Sequence, residues 1–429
     1  MRRSRGPAGP VDRVTTRPRV GLLHYTCPPV IGGVETILYE QAVRLAARGY
    51  PITILSGRGG PLPDAQAVKL VIIPQLDSRH PQVSAVRDAL NQGQTPAQFG
   101  ALQTQIEQLL TPQLAQLDAL IVHNVLTLHF NLALTAALWT LADRSRARII
   151  SWVHDLSWVN PLYRPWMHEG GPWDLLRRQH PKITSVFVSA QRLAEWRALT
   201  GADVDSTHVI PNGIDPPTLL KLGVRARELA ARFGVLSSDV VMLAPVRITK
   251  RKNLEWAIEA AAGVRASGRR VQLLITGPPG PHNPRALDYV DDLKHLRDRL
   301  GLHESVHFLF EAAGGPQDAY AVDAATLSDL YMLSDVVVLP SASEGFGLPL
   351  AEAAIFRVPV VCTDLPAFRE VAPEGATFVP TDGGSDAFTA AVLAAIESPP
   401  SRLRRHVLDA LSWDRLVTER IEPLLSTPA

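Results

Sequence analysis

Residues 336–353 read VVVLPSASEGFGLPLAEA. A continuous apolar run leads through a glycine-containing loop into a helical pattern, and Pro349 stands near the first helical position, where proline is favoured. Apolar runs without alternation are typical of parallel strands that helices cover on both faces. The stretch therefore predicts a strand–loop–helix unit of an α/β fold.

The same pattern recurs along most of the chain. Short apolar runs, each followed by a longer helical pattern, occupy residues 20–23, 52–55, 71–73, 119–122, 149–153, 186–188, 240–243, 273–275, 306–309 and 358–361. One helix can be followed directly, because Val34, Leu38, Ala42 and Leu45 form an apolar stripe and Gly49 then stands at the C-cap. We expect two doubly wound, Rossmann-like α/β domains.

The domain boundaries follow from length and turn signals. A chain of 429 residues favours two domains, and Asn-Gly and Pro-Pro pairs punctuate residues 209–217. We expect a flexible basic leader over residues 1–18, an N-terminal domain over 19–208, a C-terminal domain over 209–400 and a terminal helix over 401–429.

Composition excludes several classes of protein. The formal net charge is +1, from 43 basic and 42 acidic residues, so no global charge attracts nucleic acid. Cys27 and Cys362 form neither a disulfide framework nor a zinc motif, as expected for a reducing cytoplasm. No apolar run reaches the ~18 residues of a transmembrane helix, and the basic residues 1–18 are followed by no apolar stretch that resembles a signal peptide. We expect a cytoplasmic protein, with peripheral membrane attachment left open.

Two carboxylates flank the glycine loop of residues 336–353. Glu344 lies in the loop and Glu352 is expected in the first turn of the helix, so both can face one crevice. Gly345 and Gly347 allow close approach of a ligand, and free amides at a helix start favour a phosphate. Carboxylates accept hydrogen bonds from sugar or ribose hydroxyls. The alternative is that Glu352 merely complements the helix dipole and Glu344 is solvated.

A cluster of cations follows another predicted strand. Residues 246–253 read VRITKRKN, in which Arg247 and Lys252 could reach a diphosphate together. Such cations would neutralise the charge that develops on a departing nucleoside diphosphate. The alternative is a solvated basic loop.

The first half of the chain offers a second set of candidates. Gly32 and Gly33 lie between the first strand and its helix, where they free backbone amides for a phosphate or an acceptor. His123 and His154 each close a strand and could bind a sugar hydroxyl, and Asp155 follows. An aromatic-rich stretch comes next and could stack on an acceptor sugar or pack in the core; it contains Trp158, Tyr163, Trp166 and Trp173.

Two rival motifs are weak. Gly345-x-Gly347 resembles a dinucleotide fingerprint, but Leu350 replaces the third glycine and the loop is too long, which disfavours an NAD-dependent oxidoreductase. The Asp-x-Asp of residues 203–205 precedes a strand in a polar loop and is read as a surface turn. We therefore expect no metal site.

Taken in order, these segments resemble glycosyltransferase family 4, retaining enzymes with the GT-B fold of two Rossmann-like domains facing a central cleft. The matching residues span nearly the whole chain after the leader, and the Glu344-x7-Glu352 motif is the most specific; the others are Gly32-Gly33-Val34-Glu35, Val153-His154-Asp155, residues 210–215, Arg247 with Lys252, Ile275-Thr276-Gly277 and Ser412-Trp413-Asp414. The resemblance implies that the N-terminal domain takes the acceptor, the C-terminal domain binds the nucleotide sugar and the terminal helix crosses back to the N-terminal domain.

The resemblance also implies residue roles. His154, Arg247, Lys252 and Glu344 would act on the donor: Glu344 and His154 on the sugar, the two cations on the diphosphate. Further donor contacts would come from Gly33, Gly277, Gly345, Phe346, Gly347, Leu348 and, on the ribose, Glu352; Glu35, His123 and Asp155 would lie on the acceptor side.

The implied reaction moves a hexose, such as mannose or glucose, from a GDP- or UDP-sugar to a hydroxyl of a glycan, glycolipid or polysaccharide precursor. It would need no metal or cofactor and no enzymic nucleophile. An insertion at residues 312–325 leaves the donor preference open. The alternatives are a non-catalytic GT-B protein that binds a nucleotide sugar and, on weaker grounds, another GT-B enzyme or the oxidoreductase.

Overall fold

A computed structural model describes residues 17–62, 65–201, 207–279, 286–313 and 322–426. The chain divides into two compact units, residues 1–213 with 413–429 and residues 214–412. Each unit is built on its own parallel sheet, so the predicted fold class is confirmed.

The described residues form two parallel sheets with buried central strands. The first has seven strands, in the order β3-β2-β1-β4-β5-β6-β7, and the second has six, in the order β10-β9-β8-β11-β12-β13. The strands are β1 Val20–Thr26, β2 Ile52–Arg58, β3 Val68–Ile72, β4 Ala119–His123, β5 Arg148–Val153, β6 Ile183–Phe187, β7 Thr207–Val209, β8 Val240–Ala244, β9 Val271–Ile275, β10 Val306–Phe308, β11 Val336–Leu339, β12 Val360–Thr363 and β13 Thr377–Val379. The strand order reverses between β1 and β4 and between β8 and β11, which is where open α/β sheets bind ligands, beyond the carboxyl ends of the strands.

Helices connect and cover these strands. Their bounds are α1 Gly33–Ala47, α2 Pro81–Asn91, α3 Gln98–Leu114, α4 Leu132–Arg144, α5 Ala190–Thr200, α6 Pro216–Leu219, α7 Val224–Arg232, α8 Leu254–Ala266, α9 Ala286–Arg299, α10 Ala324–Leu333, α11 Leu348–Ile355, α12 Pro366–Val371, α13 Gly384–Ile396, α14 Pro399–Leu411, α15 Trp413–Leu416 and α16 Glu422–Ser426. A π-helical turn over Val417–Ile421 joins the last two.

Helix α1 shows how the sequence sets an element. The stripe residues Leu38, Ala42 and Leu45 are fully buried against strands of the first sheet. Gly49 has φ 83°, and its N–H donates to the carbonyl of Ala46 while the N–H of Tyr50 donates to the carbonyl of Leu45. This pair of bonds is a Schellman motif, which ends the helix at the expected glycine.

The chain passes from the first unit to the second and later returns to the first. At both of these points the boundary between the units differs from the predicted domain boundary. The first unit extends to Gly213 because β7 pairs with β6. The C-terminal segment that belongs to the first unit begins at Trp413 and not at residue 401. Helix α14 belongs to the second unit, where Arg404 contacts Asp335 at 2.6 Å.

Trp413 anchors the returning segment in the first unit. Its side chain is 2% exposed and belongs to the apolar cluster that contains Val20, Leu45 and Trp152. A Cβ added at Gly213 would lie 2.6 Å from Cγ of Trp413. Glycine at 213 therefore lets the indole lie directly against the backbone.

Some sequence predictions fall on residues outside the described ranges. These are residues 1–16 of the leader, the Asp-x-Asp of 203–205 and residues 314–321 of the insertion. At the end of the leader, Arg17 donates to the hydroxyl of Tyr50 at 2.8 Å and contacts Glu422 at 3.0 Å. In the part of the chain that the structure describes, no helix is both long and apolar enough to cross a membrane.

Candidate functional site

The loops after β8 and β11 bring Glu344 together with the predicted cations. Lys252 is 7% exposed, and its Nζ donates to Oε2 of Glu344. Arg251 approaches Oε1 of the same carboxylate at 3.5 Å and donates to the carbonyl of Ser343 at 3.3 Å. The two loops are also joined through the backbone, since the N–H of Ala342 donates to the carbonyl of Arg251 at 2.8 Å. The basic loop is therefore built into the site and is not simply solvated.

The charge of Glu344 is stabilised by this arrangement. Burial alone would raise the pKa of its carboxyl group, but the hydrogen bond and charge of Lys252, with a smaller contribution from Arg251, hold that pKa below its ordinary value. Glu344 is thus ionised at neutral pH and serves as the internal counter-ion of Lys252.

Glu352 has a different partner. It lies in the second turn of α11, not the first as expected, because the helix begins at Leu348, directly after Gly347. Its Oε2 accepts a hydrogen bond from the hydroxyl of Tyr331 at 2.7 Å. Its carboxylate therefore faces side chains of its own unit and does not simply complement the helix dipole at the N-terminus.

The glycine loop before α11 is exposed to solvent. Gly347 has φ 102°, and a Cβ there would lie 2.7 Å from the ring of Phe368. Gly345 has no atom within 4 Å of its Cβ position, and the side chains of Phe346 and Leu348 are 55% and 61% exposed. The start of α11 is thus accessible to a ligand, and free N–H groups there favour an anion.

Arg247 and Gly277 meet beyond the ends of β8 and β9. A Cβ on Gly277 would lie 2.6 Å from Cα of Arg247, so only glycine permits this approach. The Arg247 side chain is exposed and makes no hydrogen bond or ion pair with any described residue. It is available for a ligand, in contrast to Lys252.

In the first unit, the carboxylate of Glu35 is held by side chains of the preceding strand, β1. The hydroxyl of Thr26 donates to Oε1 of Glu35, and Nε2 of His24 lies 4.0 Å from the same oxygen. A Cβ on Gly32 would collide with this carboxylate, whereas Gly33 has open space around it. Gly33 therefore offers the accessible backbone, and Glu35 shapes the loop beneath it.

Three histidines end neighbouring strands and form what we call the histidine row: His24, His123 and His154. Nδ1 of His24 lies 3.0 Å from the carbonyl oxygen of His123, so it carries the proton and donates. Nδ1 of His123 lies 3.2 Å from Nε2 of His154. His123 is fully buried, so its contact with a ligand would run through His154.

The histidine row is held in the neutral form. Burial, the larger cause, and the repulsion that a protonated His24 would exert lower the pKa of His154 to about 3. Burial also lowers the pKa of His24 and holds that of His123 well below its ordinary value. At neutral pH these rings act as hydrogen-bonding groups and not as cations.

The carboxylate of Asp155 accepts hydrogen bonds from residues of its own loop. Its carboxylate accepts hydrogen bonds from Asn160 at 2.5 Å and from the N–H of Leu156 at 2.8 Å, and it lies 3.5 Å from Arg192. Among the aromatic residues, Trp158 and Trp173 are buried core, whereas Trp166 is 44% exposed.

Comparison with known protein families covers both units. Residues 31–217 match the family described as Glycosyltransferase Family 4, and residues 227–407 match Glycosyl transferases group 1. The chain belongs to glycosyltransferase family 4. It is a glycosyltransferase of the group 1 type.

Two relatives along most of the chain carry different enzyme names. The D-inositol 3-phosphate glycosyltransferase of Nocardia farcinica is 27% identical over 94% of this chain and 87% of its own. The mannosylglucosylglycerate synthase of Petrotoga mobilis is 23% identical over 83% of this chain and 85% of its own. Among solved structures, Anabaena HepE in complex with UDP and glucose is 17% identical, covering 96% of this chain and 100% of its own, with a TM-score of 0.35.

Within each unit, sequence reasoning missed several residues that adjoin the candidate residues. Tyr331 and Arg251 lie within reach of the two glutamates, and His24 adjoins His123. Asn124 has φ 61°, and its Oδ1 accepts from the N–H groups of His154 at 2.8 Å and Asp155 at 3.2 Å. Asparagine tolerates this left-handed conformation, so an asparagine directly after a predicted strand was the sequence feature that could have indicated this turn.

Proposed function

We propose that this glycosyltransferase moves a hexose from a nucleoside-diphosphate sugar to a hydroxyl of its acceptor with retention of the anomeric configuration. The observation that carries the proposal is the joining of Glu344 to Lys252 and Arg251 beside the open start of α11. A donor needs cations for its diphosphate and acceptors for its hydroxyls, and these residues supply both.

Arg247 and Lys252 bind the diphosphate and offset the negative charge that grows as the sugar leaves. The free amides at the start of α11 assist them. Because these cations come from the protein, we propose that turnover needs no divalent metal. The test of that part is turnover in the presence of EDTA.

Glu344 accepts hydrogen bonds from hydroxyls of the donor sugar, and Glu352 accepts those of the ribose. We assign Glu344 to binding and not to covalent attack, in keeping with front-face transfer in which the departing phosphate takes the acceptor proton. From the first unit, His154 donates to or accepts from a sugar hydroxyl, while Gly33 leaves its backbone N–H open to a phosphate oxygen.

The relatives suggest the acceptor class. One is named for D-inositol 3-phosphate and another for mannosylglucosylglycerate, both polyhydroxylated molecules. We propose a polyol or glycan hydroxyl as the acceptor, with glucose or mannose as the transferred sugar and UDP or GDP as the carrier.

The experiment is a matrix of donors and acceptors. UDP-glucose, UDP-N-acetylglucosamine and GDP-mannose are each incubated with inositol 3-phosphate, glucosylglycerate and simple glycosides, with EDTA present. Mass spectrometry detects transfer, and NMR reads the anomeric configuration of the product. An α-linked product from an α-linked donor supports the proposal, whereas an inverted product refutes retention.

A further inference from the structure

The partner of Glu352 is a tyrosine that has almost no contact with solvent. Tyr331 lies in α10, is 1% exposed, and donates its hydroxyl hydrogen to Oε2 of Glu352 at 2.7 Å. The same hydroxyl lies 3.4 Å from the carbonyl oxygen of Pro349, at the start of α11. Tyr331 therefore joins the end of one helix to the ligand-facing helix.

The phenol is held rigidly. Its ring stacks on Phe356 with a centroid distance of 5.3 Å and an interplanar angle of 5°. Phe356 is the C-cap residue of α11, one turn beyond Glu352. Burial first, then the hydrogen bond and charge of Glu352, raise the pKa of Tyr331 far above its ordinary value, so the hydroxyl keeps its proton.

We propose that Tyr331 is a positioning residue that fixes the Glu352 carboxylate for the ribose of the donor. This inference rests on the proposed function, in which Glu352 accepts the ribose hydroxyls. Tyr331 occupies Oε2, which leaves Oε1 to the ligand and holds the carboxyl plane in one orientation. A glutamate side chain that is already immobile loses less conformational entropy when a ligand binds.

A packing role alone predicts something different. Tyr331→Phe keeps the ring and its stack on Phe356 but removes the hydrogen bond to Glu352. If the ring only fills space, nucleotide binding should be unaffected or should weaken equally for every nucleotide. If the hydroxyl positions Glu352, the loss should fall on the ribose hydroxyls alone.

The molecule contains a matched control. Tyr289 is 6% exposed and donates its hydroxyl hydrogen to Oε2 of Glu255 at 2.5 Å, in the same unit. Tyr289→Phe removes the same kind of bond from a tyrosine that does not contact Glu352. Any general effect of losing a buried phenol should appear in both variants.

The experiment is calorimetric titration with UDP, GDP and the 2′-deoxy form of each. We expect the wild type to prefer the ribonucleotide, and Glu352→Gln to lose that preference. Tyr331→Phe should reduce it by about ten-fold, the scale of a hydrogen bond to a charged group, with the deoxynucleotide affinity unchanged. Tyr289→Phe should retain the wild-type preference.

Each contrary outcome distinguishes the positioning role of Tyr331 from the proposed donor site. If the wild type distinguishes the ribonucleotide and Tyr331→Phe does so equally well, the positioning role is refuted while the proposed donor site stands. If Tyr331→Phe weakens both nucleotides alike, its role is packing and the inference is again refuted. If the wild type shows no ribose preference, the assignment of Glu352 falls and this inference falls with it.

Discussion

Glu344→Gln should destabilise the second unit yet make it respond more strongly to a nucleoside diphosphate. The carboxylate lies against Lys252, and the two side chains are 12% and 8% exposed. Glutamine keeps the shape but removes the charge, which leaves a mostly buried ammonium without its counter-ion. Breaking one side of such a pair costs about 3 kcal/mol.

A bound diphosphate would supply the missing charge. In the wild type, the ligand competes with Glu344 for Lys252, whereas in the variant the ammonium is already free. A ligand at about 100 times its dissociation constant stabilises by about 2.7 kcal/mol. We expect the variant to gain at least about 1 kcal/mol more than this from the same ligand concentration, because Lys252 no longer has to leave a carboxylate.

The assay is differential scanning calorimetry with and without a sugar-free nucleoside diphosphate. Glu311→Gln is the control, since Glu311 pairs with Lys294 in the same unit but the two side chains are 40% and 30% exposed. Exposed pairs contribute at most about 1 kcal/mol, so this variant should behave like the wild type. The role of Glu344 as counter-ion of Lys252 is refuted if Glu344→Gln is as stable as the wild type, or if the ligand stabilises the variant no more than it stabilises the wild type.

Two further predictions concern the first unit. Gly213→Ala places a Cβ against the ring of Trp413 and should lower the free energy of unfolding by about 1–3 kcal/mol, as measured by calorimetry. The control Gly100→Ala has nothing within 4 Å of its Cβ and should lower it by nothing. Equal stability of the two variants would contradict the contact between Gly213 and Trp413. Acidification should destabilise this unit, because His154 has a pKa of about 3 when folded and 6.5 as its ordinary value, so the unfolded chain takes up the proton first. Between pH 7 and pH 5 the loss that His154 causes is about 2 kcal/mol, so His154→Gln should lose correspondingly less over this range. An unchanged loss in that variant would show that His154 takes up its proton equally in the folded and the unfolded chain.

The sheets were predictable from the sequence because burial on both faces leaves a strong signal. Each predicted apolar run overlaps a strand of the structure. The strands that were missed, β7 and β13, are short edge strands with exposed residues, such as His208 and Thr377. Edge strands need only one neighbour, so their sequence carries little periodicity.

The site was predictable only in part. Glu344, Lys252 and Arg247 follow strands directly, and the carboxyl ends of parallel strands meet at one edge of the sheet. Tyr331 gave no such signal, because it looks like an ordinary core residue of a helix and meets Glu352 only through tertiary packing. The burial of His123 was likewise set by neighbouring strands, which no local pattern describes.

Binding of the donor nucleotide by the loop after β8 can be tested by calorimetric titration of UDP, GDP and NAD, without metal, into the wild type and Arg247→Ala. The side chain of Arg247 is exposed beside Gly277 and takes no described partner, so its removal should leave the fold intact. We predict that UDP or GDP binds the wild type and that the variant binds it at least about ten-fold more weakly, the loss of a charge-assisted contact. Binding of NAD alone, or equal affinity of the variant for the nucleoside diphosphate, would contradict the assignment of this loop to the donor.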